Sequence, residues 1–187
     1  MAKSHKSRYA ILGILAIAPG SSGYDIRSLM KNSTEFFWRE TFSSIYPVLD
    51  ELEKEQLIIQ VANTSASGRG RKTYKVSKEG RQALRTWLAQ DVEPEQARNG
   101  LLLKLFFGDL TSPEISRGHV EAYQAQLQAR KKVFSLIKST LPKEYEKHGG
   151  LPFFLLTVEY GIRQVQASLN WCEHALEEIN KLQKNRS

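Results

Sequence analysis

The chain has 187 residues, of which 41% are hydrophobic and 25% charged, and its formal net charge is +7. This length suits one fair-sized domain or two small ones, and the composition excludes a disordered chain. No uninterrupted apolar run reaches the roughly 18 residues that a membrane-spanning helix needs. We therefore expect a cytoplasmic protein without a membrane partner. The lone Cys172 excludes an internal disulfide and a thiolate metal cluster.

The positive charge is concentrated in the first half of the chain. Residues 1–90 contain 14 basic and 8 acidic residues (+6), whereas residues 91–187 contain 13 and 12 (+1). A concentrated positive field attracts a polyanion such as nucleic acid, while ordinary solubility is the alternative explanation. Lys6 and Arg8 belong to this excess, and they either contact phosphate or form a frayed tail.

The first three predicted elements are helices. The first covers residues 8–18, and the second follows Ser21, Ser22 and Gly23, which resemble an N-cap region. The third covers residues 43–55, where apolar residues recur at helical spacing and a serine is available as the cap. Three helices in succession are the first part of a helix-turn-helix domain.

A β-hairpin and a fourth helix are predicted next. Strands are expected over residues 57–61 and 72–76, with a polar, glycine-containing loop between them. Ser77 is expected to cap the fourth helix. The resulting order, three helices, a hairpin and a trailing helix, is that of a winged helix-turn-helix domain.

Only the start of the third helix is predicted to contact DNA. Ser43 or Ser44 is expected to cap this helix, with Pro47 in its first turn. Ser43, Ser44 and Tyr46 lie near the start, the end that enters the major groove in such domains. Acidic residues follow farther along, so that part has to point away from phosphate.

The hairpin loop is the second predicted contact with DNA. Arg69, Arg71 and Lys72 lie next to Gly68 and Gly70. Glycine lets the backbone approach a phosphate closely, and the neighbouring cations neutralise it. An arginine in such a loop can also enter the minor groove. The alternative is a solvated surface loop.

The second half of the chain is predicted to be helical. Residues 91–99, rich in charge and containing Pro94, are the expected linker between a domain over 1–90 and a domain over 100–187. Helices are expected over 100–110 and from Ser112 to about Leu141, where Pro142 ends the second.

The last helix carries a strict alternation of four and three between apolar residues. This pattern is typical of a helix packed lengthwise against partner helices. We expect a homodimer in which the long helices of each chain cover the other, and an intramolecular bundle is the alternative. The residues assigned to dimerisation are Leu155, Val158, Ile162, Val165, Leu169, Leu176 and Ile179.

The sequence predicts no catalytic residue, no metal site and no cofactor. Its four histidines are scattered, and Cys172 occupies a core position of the apolar stripe. Aromatic side chains offer a different chemistry, because they can line a pocket for a small aromatic ligand or simply pack in the core. The candidates for this effector pocket are Trp38, Phe106, Phe107 and Trp171.

Taken together, residues 9–90 resemble the PadR family of bacterial transcriptional regulators. The resemblance rests on motifs such as Ser22-Gly23-Tyr24-Asp25-Ile26, Ile45-Tyr46-Pro47-Val48-Leu49 and Arg71-Lys72-Thr73-Tyr74. Leu102 to Gly108 are similar to the helical domain of a virulence-gene activator, found in the longer branch of the family. Gln56 stands where the family often has glycine, so it has to adopt a left-handed conformation.

The resemblance implies a homodimer that binds double-stranded DNA at an inverted-repeat operator, usually as a repressor, and that a small aromatic effector releases in some relatives. The predicted fold class is mainly α with a small β-hairpin: an N-terminal winged helix-turn-helix followed by a C-terminal α-helical dimerisation domain. The alternatives are a small-molecule-binding module or a protein-interaction dimer in which DNA binding is secondary.

Overall fold

The structure is a computed structural model that describes residues 2–38, 40–61, 71–92 and 98–184. The chain divides into two compact units, Met1–Pro94 and Glu95–Ser187, and the division falls inside the predicted linker. Within the described ranges, no helix combines the length and the apolar character that crossing a membrane requires.

The first unit has the predicted order of elements, with one additional strand. In chain order its described elements are α1 (Ala2–Ile17), β1 (Ser21–Ser22), α2 (Gly23–Asn32), α3 (Phe42–Lys54), β2 (Ile58–Val61), β3 (Thr73–Val76) and α4 (Lys78–Leu88). The two residues of β1, predicted only as the region before a helix, pair antiparallel with β3 and give a sheet of order β1-β3-β2. Ser77 caps α4 as predicted, its Oγ accepting from the Gly80 N–H at 2.9 Å.

One apolar cluster holds the first unit together. The stripe of α3, formed by Ile45, Val48, Leu49 and Leu52, is at most 5% exposed, as the helical spacing predicted. Helices α1 and α2 and the sheet supply the other members, which include Ile11, Leu12, Leu15, Ile26, Met30, Ile58, Tyr74 and Val76. Because this stripe is buried, only the opposite face of α3 is exposed to solvent at the start of the helix.

The turn between α3 and β2 confirms the prediction for Gln56. This residue has a φ of 57°, in the left-handed region that favours glycine. The next amide, Leu57 N–H, donates to the Leu52 carbonyl at 2.9 Å and closes the end of the helix. The side chain at Gln56 therefore costs about 1 kcal/mol of strain.

The second unit consists of α5 (Gly100–Phe106), a 3-10 turn (Gly108–Leu110), α6 (Pro113–Glu144) and α7 (Leu151–Lys184) within its described residues. The helix predicted over 100–110 thus ends at Phe106. The prediction that Pro142 ends α6 is wrong. Proline already has a helical φ and removes only one hydrogen bond, so the helix continues through it for a last partial turn.

Helices α6 and α7 form an antiparallel hairpin with a tightly packed seam. The Phe134 ring of α6 packs directly on Gly161 of α7, where an added Cβ would lie 2.4 Å from it. Side-chain hydrogen bonds cross the hairpin between Lys138 and Glu159, Lys131 and Gln166, and Gln183 and Glu114. The seam is therefore continuous over most of both helices.

Candidate nucleic-acid interface

The first turn of α3 is organised by hydroxyl groups. Thr41 is the N-cap residue, with φ −103° and ψ 161°, so the prediction that Ser43 or Ser44 caps the helix is wrong. The Ser44 Oγ accepts from the Thr41 N–H at 3.0 Å, and its one proton can be donated to Glu40 Oε2 at 2.7 Å or to the Thr41 carbonyl at 2.8 Å. Ser44 therefore holds the start of the helix in place, whereas Ser43 is exposed. Because α3 starts at Phe42, Pro47 falls in its second turn and not in its first.

Tyr46 lies on the same end of α3 and presents a ring that is 52% exposed. One side of the ring lies against Gly23, the first residue of α2. A Cβ added at Gly23 would come within 2.8 Å of the ring carbon Cε1. A larger residue would have to displace the ring from this position, so Tyr46 and the start of α2 form one continuous surface.

Arg71, which lies just before β3, contacts the same end of α2. Its Nη2 atom is 3.2 Å from Asp25 Oδ1, and its Cζ atom is 4.8 Å from the centroid of the Tyr24 ring. The Ser22 N–H donates to Asp25 Oδ2 at 3.0 Å. This hydrogen bond is the main cause that lowers the pKa of Asp25, and the Arg71 charge adds to it. Asp25 therefore joins the base of the hairpin to α2.

Not all of the other predicted basic contacts lie among the described residues. Lys72 is exposed directly beside Arg71, and Lys6 is half-buried on α1. Arg69 lies outside the described residues, together with Gly68 and Gly70. Of the predicted loop contacts, the structure thus positions Arg71 and Lys72.

Arg8 has a structural role in place of the predicted phosphate contact. Its guanidinium forms an ion pair with Glu55, the residue that follows α3, and its side chain is only 22% exposed. Its Nε atom is buried without a hydrogen-bond partner. Because this side chain is mostly buried, little of its guanidinium is exposed to a phosphate, and Arg8 instead ties α1 to the end of α3.

The seven residues predicted for dimerisation lie along α7. Val158, Val165, Leu169 and Ile179 are at most 8% exposed within a single chain, while the other three are half-buried. The α6–α7 seam thus already buries much of the stripe, as the alternative of an intramolecular bundle required. Their part in a dimer stays a prediction.

The four aromatic residues predicted for an effector pocket are divided between the two units. In the first, the Trp38 indole N–H donates to Glu40 Oε1 at 2.8 Å. In the second, Phe106 is 80% and Phe107 52% exposed, and Trp171 is half-buried. Phe107 also lines an open cleft of about 390 Å³, together with Leu103, Lys104, Thr111, Ile115, Ser116 and His119.

The described part of the chain offers little to metal or thiol chemistry. It contains no cluster of histidine, cysteine and acidic residues that could hold a metal ion. Cys172 is fully buried, and burial raises the pKa of its thiol. A buried thiol with a raised pKa is a poor nucleophile, as its core position predicted.

Three functional features escaped the sequence analysis. Glu40 is buried, although glutamate is usually exposed, and its partner Ser7 is far away in the chain. Tyr24 and Asp25 hold Arg71, a contact between residues distant in sequence. Thr41 and Ser44 have the spacing of a capping box, but Ser44 stands where glutamate or glutamine is usual, so the sequence signal was weak.

The sequence matches two family models in succession. Residues 11–86 match the transcriptional regulator PadR-like family, and residues 97–180 match the virulence activator alpha C-terminal domain. The probable transcriptional regulator Rv1176c of Mycobacterium tuberculosis (strain ATCC 25618 / H37Rv) is 24% identical in an alignment of 176 positions that covers 86% of this chain and 91% of that protein.

Solved structures show the same fold. The PadR-like regulator BC1756 from Bacillus cereus has a TM-score of 0.77 and 22% identity, covering 93% of this chain and 98% of that chain. Bacillus subtilis PadR in complex with operator DNA has a TM-score of 0.74 and 26% identity, and the match covers 92% of this chain and 98% of that chain. The structure of that protein in complex with p-coumaric acid has a TM-score of 0.67 and 25% identity, and the match covers 92% of this chain and 94% of that chain. The chain belongs to the PadR-like transcriptional regulators, with a C-terminal half of the virulence-activator type.

Proposed function

We propose that this protein is a homodimeric repressor that binds an inverted-repeat operator in double-stranded DNA. One observation carries the proposal. The start of α2 touches Tyr46 through Gly23 and touches Arg71 through Tyr24 and Asp25. The start of α3 and the base of the hairpin are thereby held on one basic, exposed surface.

Each part of this surface has a distinct task. Arg71 and Lys72 contact phosphates and set the position of the domain on the duplex, and Lys6 and Arg69 extend this contact. Ser43 and Tyr46 reach base edges in the major groove. The structure of Bacillus subtilis PadR in complex with operator DNA, which shares this fold, supports DNA binding by this chain.

A second copy is needed because an inverted repeat offers two equivalent half-sites. Helix α7 carries a suitable surface outside the seam. Phe153, Leu156 and Tyr160 recur at helical spacing on α7 and are between 63% and 69% exposed. These three exposed side chains supply apolar area that a dimer can bury.

A small aromatic acid is the proposed effector. Bacillus subtilis PadR has been solved with p-coumaric acid. In this chain, Phe107 lines the cleft of the second unit beside the basic groups of Lys104 and His119. Titrating planar phenolic acids while recording tryptophan fluorescence and operator affinity tests this candidate, and unchanged signals in both would reject it.

The main test is to select bound sequences from random duplexes with the full-length protein. We expect a palindromic motif with half-sites about one helical turn, or a multiple of it, apart. Arg71→Ala should then weaken binding about tenfold and lower the salt dependence. Lys31→Ala removes the same charge at the far end of α2 and serves as the control. Equal affinities for the two variants would refute the assigned surface.

A further inference from the structure

Glu40 is a buried carboxylate that joins three parts of the first unit. Only 4% of the residue is exposed. Its Oε1 atom accepts hydrogen bonds from Ser7 Oγ on α1 at 2.5 Å and from Trp38 Nε1 at 2.8 Å. Its Oε2 atom accepts from Ser44 Oγ in the first turn of α3 at 2.7 Å. One side chain therefore contacts α1, the segment before α3 and the start of α3.

Hydrogen bonds compensate for the burial of the carboxylate at this position. Burying one is costly unless hydrogen bonds or a cation compensate. Among the described residues no lysine or arginine forms an ion pair with Glu40, so three neutral donors carry the compensation. The backbone at the start of α3 is capped by Thr41 and Ser44 in any case.

We propose that Glu40 positions the DNA-contacting end of α3 and couples it to Trp38. The proposal rests on the proposed function, since it concerns the same surface. Ser44 lies between Ser43 and Tyr46 in the chain, so the orientation of its side chain determines that of the first turn. Through Ser7, the same carboxylate fixes α1 against this turn.

The coupling follows from the shared carboxylate group. Its two oxygen atoms rotate together, so a change in the donors to Oε1 alters the direction of Oε2 and hence the bond to Ser44. Trp38 supplies one of the two donors to Oε1. A ligand or a packing change that turns the indole of Trp38 therefore shifts the first turn of α3 and weakens operator binding.

The first experiment separates positioning from general stability. Affinity for the selected palindrome and for a scrambled duplex of equal length is measured for wild type, Glu40→Ala and Glu40→Gln, well below the melting temperature. Glu40→Ala should lower the preference for the palindrome about tenfold, while phosphate-driven binding to the scrambled duplex is unchanged. Glu40→Gln retains an acceptor oxygen for Ser7 and Trp38 and should restore part of the preference.

The second experiment tests the coupling to Trp38. Trp38→Phe removes the indole donor but keeps an aromatic ring, and it should lower the same preference. In the Glu40→Ala background this substitution should have no further effect. Trp87→Phe is the matched control, because Trp87 stacks on Tyr9 at 4.8 Å in the same unit without contacting Glu40.

The possible outcomes are distinguishable. If the wild type binds no duplex more tightly than the scrambled duplex, both the proposed function and the role of Glu40 fail. If the wild type binds a palindrome and folded Glu40→Ala keeps its preference, or loses both affinities equally, only the role of Glu40 fails. Independent, multiplying effects of Trp38→Phe and Glu40→Ala would reject the coupling. If Glu40→Ala does not fold, the preference for the palindrome is compared among Glu40→Gln, Trp38→Phe and Trp87→Phe. Equal preferences in the three variants would then reject the role of Glu40.

Discussion

The two units of the chain bury their apolar residues in different ways. In the first, helices and sheet enclose one cluster, and exposed rings such as Tyr46 lie at the candidate interface. In the second, the α6–α7 seam is buried, but Phe106, Leu136, Phe153 and Leu156 are between 63% and 80% exposed. A hairpin of two helices can cover only one apolar surface by itself. The first unit therefore has a complete core of its own, whereas the second has surface to offer to another chain.

The largest effect is expected on the surface of α7. Replacing Leu156 and Tyr160 by glutamate puts two charges into the proposed dimer contact. We expect monomers in analytical ultracentrifugation and an operator affinity at least about 100-fold lower, because the two half-sites are no longer bound together. The control Gln166→Glu adds charge on α7 where the side chain already bonds to Lys131. A dimer that persists in the double variant would mean that the contact lies elsewhere.

The closed core of the first unit is most sensitive at Gly80. An added Cβ would lie 2.0 Å from the Leu57 carbonyl oxygen, which also accepts from Ser77. Neither backbone can move without breaking these bonds, so Gly80→Ala should destabilise the unit by about 2–3 kcal/mol. Gly13→Ala has free space around it and should be neutral or slightly stabilising. Thermal unfolding followed by circular dichroism compares the two, and equal melting temperatures would contradict the close approach.

A smaller effect is expected from Asp25→Asn, which weakens the cap of α2 and the link to Arg71. The loss should be about 1 kcal/mol at neutral pH, reduced by solvent screening because the side chain is 43% exposed. The pKa of Asp25 is lowered in the folded state, so its contribution is present above the ordinary value of 3.8 and is lost as the pH falls through the folded pKa. Denaturant titrations should therefore show the two proteins converging below about pH 4. A constant difference would exclude an ionic contribution, and Asp91→Asn is the control.

The smallest effect is a gain in stability. Gln56→Gly relieves the left-handed conformation at the end of α3 and should stabilise the first unit by about 0.5–1 kcal/mol. Gln60→Gly, in β2, should instead destabilise it by a similar amount. If both substitutions destabilise the protein, Gln56 makes contacts that outweigh its backbone strain.

Periodic patterns predicted most of the fold. The apolar spacing of α3 and the stripe of α7 identified their buried faces. The conformation of Gln56 was instead predicted from the resemblance to a family that often has glycine at this position. Strand β1 could not be predicted in this way, because Ser21 and Ser22 are too few to form a periodic pattern. They form a strand only because the fold brings them next to β3.

The candidate site was only partly predictable, because the exposure and the contacts of its charged side chains depend on residues that are distant in the sequence. Arg8 is paired with Glu55, 47 residues away. Glu40 accepts from Ser7, 33 residues away. Local sequence shows neither contact, and both decide whether a side chain is available to DNA.

The close contact between Gly23 and Tyr46 limits how this surface can change. A larger residue at 23 collides with the ring unless 46 first becomes smaller, so the two positions cannot vary in any order. Ser43 is exposed and meets no such steric limit, its one side-chain contact among the described residues being a hydrogen bond of 2.8 Å to the Thr41 hydroxyl. New operator preferences should therefore arise most readily at Ser43, and functional variants from a library randomised at 23 and 46 should pair a larger residue at one with a smaller residue at the other.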